Sequence, residues 1–191
     1  MLCCLALLAG CRPTTLVALP SKDAHVVADF AAKTTEHEVS IEAHFHAWRG
    51  EPRDLERRAT PVLVRLENHR DAPVQISRSA FELVSGTASF PSVAPERVGA
   101  PLAGLLAEQL PESTLGPGES ISGFLYFPRI MGDWGFMHLR TLLVDESRAL
   151  LGSIDLPFGT GHVERCSLAF VDQREPESSS NILFHTCLAP F

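Results

Sequence analysis

His44 and His46 stand two residues apart in "EVSIEAHFHAW", a stretch in which Val39, Ile41, Ala43 and Phe45 alternate with Ser40, Glu42, His44 and His46. Along a strand, residues two apart share a face, so the two imidazoles are expected side by side, opposite Phe45. Neutral imidazoles at that spacing suit one Zn²⁺ or Cu²⁺ ion if a third donor arrives from elsewhere. His138, with Met131 and Met137 nearby, and His37 are the donors the chain offers; Met137 alternates with His138 and is expected on the opposite side of its strand. The plainer reading is a polar strand face that meets water. Nucleophile motifs are weaker. "GESIS" (118–122) carries Ser122 where a nucleophile elbow needs glycine, so Ser120 reads as a turn residue. "GTGH" (159–162) lacks the third glycine and the helix of a dinucleotide loop and reads as a flexible corner.

Cysteine chemistry begins at "MLCCLALLAGCRP". The apolar run is half the roughly 20 residues a membrane-spanning helix needs, and it is greasy on every side, unlike an amphipathic core helix. An exported chain with an ordinary signal peptide and a native core element are the alternatives. Leu8-Ala9-Gly10-Cys11 resembles the lipobox of bacterial lipoproteins. The resemblance implies cleavage before Cys11, acylation of its thiol and amine, and an address in the bacterial cell envelope, facing the periplasm or the exterior. Residues 1–10 are then the signal, 11–22 the lipidated cysteine and a tether containing Pro13 and Pro20, and 23–191 one domain. Cys3 and Cys4 leave with the signal. Cys166 and Cys187 remain, and in an oxidising compartment an even pair reads as a disulfide, with two buried free thiols as the alternative. "HVERCSLAFV" and "NILFHTCL" look like an antiparallel pair; joining the cysteines sets Leu168 opposite His185 and Phe170 opposite Leu183.

Composition bounds the rest. With 45% apolar and 20% charged residues the chain is that of a folded protein, and a net charge of −7 without a basic cluster argues against a nucleic-acid or anionic-lipid binding patch. "RGEPRDLERRA" mixes Arg49, Arg53, Arg57 and Arg58 with Glu51, Asp54 and Glu56 and reads as a solvated loop.

These residues must be positioned by strands. Period-two alternation predicts them at Val39–Phe45, Val62–Leu66, Val74–Ile76, "FELV", "TASF" and Ile121–Phe127, and a hairpin from "WGFMHLRTLLV" and "ALLGSIDL" about the turn Asp145–Arg148. Pro117-Gly118 predicts a type II turn. Leu102, Leu105, Leu106 and Leu110 predict one short helix near 101–110, and "KDAHVVADFAAK" fits strand or helix, with strand preferred. The sum is an all-β antiparallel sandwich.

"VLVRLENHRDAPVQI" followed by "LGPGESISGFLYFP" resembles the immunoglobulin-like domains of exported bacterial lipoproteins, in which a strand ending in Asn leads to a polar turn, a Pro-Val restart and later a Pro-Gly-Glu turn. Trp48 and Trp134 both precede Cys166 and Cys187, unlike the arrangement in antibody domains. The resemblance implies architecture and, with it, binding, spacer or assembly roles. The expectation is therefore a membrane-anchored, non-enzymatic binding or assembly module with an envelope protein partner and no cofactor. A periplasmic metal-binding protein using His44 and His46, and an envelope hydrolase without a recognisable motif, are the alternatives.

Overall fold

The structure, a computed structural model, describes residues 15–19, 21, 24–99, 102–131 and 135–161. In chain order the first strands are β1 (Thr15–Ala18), β2 (Ala24–Ala28), β3 (Ala31–Glu36), β4 (Val39–Phe45), β5 (Ala59–Asn68) and β6 (Val74–Ile76). After β7 (Phe81–Ser85) and β8 (Ala88–Pro91) comes a short helix, α1 (Leu102–Glu108). Then follow β9 (Ser113–Leu115), β10 (Ser120–Pro128), β11 (Phe136–Asp145) and β12 (Leu150–Gly161). Two antiparallel sheets result. One runs β10-β5-β4-β3-β2; the other runs β1-β12-β11 and continues from β11 to β7 and β8 at one end and to β6 and β9 at the other.

Alternation in the sequence becomes a two-layer core because each strand has one apolar side to bury. Ile41, Leu66 and Ile121 stand in one cross-strand row, and Phe45, Val62 and Leu125 in another. Leu139, Ile154, Leu156 and Phe158 face them from β11 and β12, and Phe45 meets Phe158 edge to face at 4.6 Å. Burying a side chain of this size contributes about 1.5–3 kcal/mol, so these rows dominate the fold's stability. The all-β antiparallel sandwich with one short helix is what the pattern predicted. The Cys166–Cys187 pairing and its hairpin, and Cys11, lie outside the described residues.

The Asn and Pro-Gly-Glu turns prove to be one structure. Asn68, fully buried at the end of β5, donates through Nδ2 to the carbonyl oxygens of Ala72 (2.9 Å), Leu115 (2.9 Å) and Gly116 (3.2 Å), while its Oδ1 accepts from Arg70 N at 3.0 Å. Its backbone completes the knot: Asn68 N donates to Glu119 O and Gly118 N donates to Asn68 O. Glu119 closes its own turn by accepting from Gly116 N at 2.8 Å, and Gly118 takes φ 72°, a left-handed conformation natural to glycine. The intervening turn also changes sheets, since β5 belongs to the five-stranded sheet and β6 to the other.

Several local expectations change. Within the segment expected as a tether over 11–22, Thr15–Ala18 is a strand paired with β12, because Leu16 and Ala18 are buried in the core. Residues 159–161 are the paired end of β12, not a flexible corner. "KDAHVVADFAAK" is neither one strand nor a helix but a hairpin, β2 turning at Asp29-Phe30 into β3. The stretch "RGEPRDLERRA" (49–59) is not wholly solvated, because Leu55 and Ala59 are buried, as is Trp48 just before it in the same loop.

That loop explains why β10 breaks the period of two, with all five residues Gly123–Phe127 buried. Leu125 and Phe127 face the main core, while Phe124 and Tyr126 on the outer face pack with Trp48, Leu55, Val98 and Leu105 in a second core. Trp48 donates from Nε1 to Pro52 O at 2.9 Å, and the buried Tyr126 hydroxyl donates to Leu105 O at 2.9 Å. Burial is the main reason the Tyr126 phenol is pushed well above its ordinary pKa. Gln109 and Leu110 then cover the free edge of β10: Gln109 bridges Phe124 in parallel and Leu110 N donates to Phe124 O at 2.9 Å. Only glycine permits this approach at position 123, since a Cβ there would overlap the Leu110 backbone.

Candidate functional site

β4 carries the histidine pair only part-way. It ends at Phe45, and His46 turns out of the strand with φ 56°, so the two rings do not share the face that unbroken alternation would give them. Each ring has its own carboxylate. His44 donates from Nε2 to Glu42 Oε1 at 2.6 Å, and His46 donates from Nδ1 to Glu56 Oε2 at 3.2 Å while resting edge-on against Phe30 at 5.2 Å. The hydrogen bond from His46 holds the Glu56 carboxyl below its usual range against the opposing effect of burial; the nearby charges of His46 and Arg49 add to the lowering.

The proposed third donors lie elsewhere. His138 is exposed on β11, between inward-facing Met137 and Leu139, and so sits on the outer side of the opposite sheet from His44. Sheets in a sandwich stack about 10 Å apart, so this ring cannot join the first two. The His37 ring lies over Gly152 of β12, at the far end of β4, and Met131 is exposed beyond β10. Among the described residues no three His, Cys, Asp or Glu side chains converge.

A polar cluster that the sequence did not signal lies on the outer face of β3 and β4. Ser40 Oγ is 2.9 Å from His69 Nε2 and 2.7 Å from Thr35 Oγ1, and Ser40 is only 4% exposed. A serine at hydrogen-bond distance from an imidazole has the contact of a nucleophile with its base. The rest of the arrangement differs from a catalytic one, in which a carboxylate orients the base from the other ring nitrogen. Here Glu67 Oε2 lies 3.9 Å from the same Nε2 that meets Ser40, so it competes with the serine. Ser40 and His69 are 29 residues apart and meet only because β4 pairs with β5, so no local motif could have revealed them. Ser120 is exposed at the start of β10, after the Pro117-Gly118 turn, as a turn residue should be.

An open groove of about 330 Å³ lies beside the start of β5, lined by Arg58, Val93, Arg97, Val98, Phe127 and Pro128 among others. Among the described residues, its walls hold no serine, cysteine, histidine or carboxylate. Arg58 is committed to Gly99 O at 2.9 Å and Asp54 at 3.1 Å.

The end of the sandwich at which the first described strand begins is defined by strand register. Thr15 pairs with Gly161 and Val17 with Gly159, which in turn pairs with Phe136, the first residue of β11. Ala18 N donates to Asp29 O and Leu19 N to Pro157 O, fastening the N-terminal strand to both sheets. Among the described residues no helix is long and apolar enough to cross a membrane.

No family model and no curated protein matches this sequence. Among solved structures, a lipoprotein candidate from Bacillus subtilis, YcdA, is similar at 16% identity and a TM-score of 0.38; the match covers 78% of this chain and 34% of that one. The chain thus spans about a third of that protein's length. A protein of unknown function from Listeria monocytogenes matches at 12% identity and TM-score 0.39, covering 77% of this chain and 88% of its own. The secreted Mycobacterium tuberculosis protein MPT63 matches at 12% identity and TM-score 0.35, with 56% and 81% covered. Similarity this distant carries no inference about activity.

Proposed function

We propose that this protein is a bacterial envelope lipoprotein, held at a membrane by acyl chains on Cys11, whose β-sandwich acts as a non-enzymatic binding or assembly module for another envelope protein. Leu8-Ala9-Gly10-Cys11 carries the reading. Cleavage before Cys11 would leave the sandwich whole, since the first described strand starts at Thr15. Two acyl chains are enough for stable attachment, because each buried methylene contributes about 0.8 kcal/mol. The described histidines are paired with carboxylates or serine, or stand apart, and the described walls of the groove carry no nucleophile or base. These features favour recognition over catalysis.

The deciding experiment is metabolic labelling of the full-length protein with a clickable fatty acid. The parent protein should be labelled and Cys11→Ser should not; equal labelling of the two overturns the anchor. Crosslinking in native membranes followed by affinity capture should then recover the same envelope protein from repeated preparations of the parent. Failure to recover any would overturn the binding role.

A further inference from the structure

We infer that the anchored end of the sandwich rests on the bilayer itself, with Phe136 as its lipid contact and with the acidic opposite end turned away from the membrane. The inference rests on the lipid anchor proposed above and adds an orientation to it. Three residues separate Cys11 from Thr15, so the acylated residue lies at most about 14 Å from the start of β1. A tether this short confines the sandwich to the headgroup layer.

Register then determines which end faces the lipid. Val17, Gly159 and Phe136 form one row across β1, β12 and β11, and with neighbouring strands about 4.8 Å apart the Phe136 Cα is about 10 Å from that of Val17. Phe136 is 69% exposed, and Met131, on the connection into β11, is 65% exposed. An exposed phenylalanine beside a membrane anchor is apolar surface of the kind that interfacial segments bury at the boundary between headgroups and acyl chains.

Charge agrees with this direction. At the far end, the turns and strand ends carry Glu36, Glu38, Asp71, Glu119, Asp145 and Glu146, opposed by Arg70 and Arg148. At the anchored end, Arg129, two residues before Met131, is balanced in charge by Asp29 of the β2–β3 turn, and the loop after β4 mixes arginines with carboxylates nearly evenly. An anionic phospholipid surface therefore repels the far end and tolerates the near one.

The test places a photoreactive benzoylphenylalanine at position 136 of the full-length protein in bacterial membranes, with the same residue at Leu150 as control. Leu150 is 65% exposed but begins β12 at the far end. Both positions are exposed, so folding should survive, and thermal melting checks that it does. Illumination should give phospholipid adducts at 136 and none at 150. Adducts from 136 to residues 162–191 or to a second copy, equal lipid adducts at both positions, or none at 136 would overturn the inference. Fatty-acid labelling of the same samples separates the failures: labelled protein without lipid adducts refutes the orientation alone, whereas unlabelled protein refutes the anchor and the orientation with it.

Discussion

Replacing Asn68 by alanine should remove the hydrogen bonds that join the end of β5 to two turns. Nδ2 has two hydrogens to share among the carbonyls of Ala72, Leu115 and Gly116, and Oδ1 accepts one more bond, so three full bonds are at stake. At about 1 kcal/mol net for each, Asn68→Ala should cost about 3 kcal/mol, a large share of the 5–15 kcal/mol typical of a domain. For a chain of this size that is a fall of about 6–12 °C in Tm. Asn68→Asp is the sharper variant. It keeps the acceptor for Arg70 N but sets a carboxylate against three carbonyl oxygens, so at neutral pH it should be less stable than the alanine protein. Part of that loss should return in acid, where a protonated carboxyl regains one donor. Urea denaturation followed by tryptophan fluorescence, in a Cys11→Ser background that removes the proposed acylation site, gives both values. A cost below about 0.5 kcal/mol for alanine, or an aspartate protein as stable as the parent at pH 7, would refute the claim that Asn68 is the junction of the two turns.

In the same background, Gly123→Ala should lose about 1–3 kcal/mol, because the new methyl meets the Leu110 backbone with no flexible atom to give way; an unchanged urea midpoint would refute the close approach. Glu56 is held below its usual pKa of 4.5, so its pairing with His46 stabilises the fold above that value and the contribution fades as pH falls through the lowered one. Parent and Glu56→Gln melting curves should therefore differ slightly at pH 6 and converge in acid, the difference being small because both side chains are about 40% exposed; a gap that widens towards low pH would contradict this sign. Peptide mapping of the unreduced protein should recover Cys166 joined to Cys187, and finding both as free thiols would remove the proposed disulfide.

What the sequence alone determined about this protein is what neighbouring residues decide together. Alternation of Val62, Val64 and Leu66 sets a strand's buried side whatever its partner, and Pro117-Gly118 sets a turn through the φ values those residues prefer. The same locality makes the Cys11 motif readable and leaves its consequence a proposal, since a signal is recognised as a linear segment. Tertiary structure decided everything that depends on partners distant along the chain. Nothing near Asn68 shows that its amide will reach Leu115, nothing near Ser40 shows His69, and nothing in β10 shows that Trp48 and Leu105 arrive from two other segments to cover its outer face. His46 makes the point at the scale of one residue. Alternation carries it along β4, but it leaves the strand with a left-handed backbone and pairs with Glu56, ten residues on, so the expected histidine pair was undone by the loop that follows it.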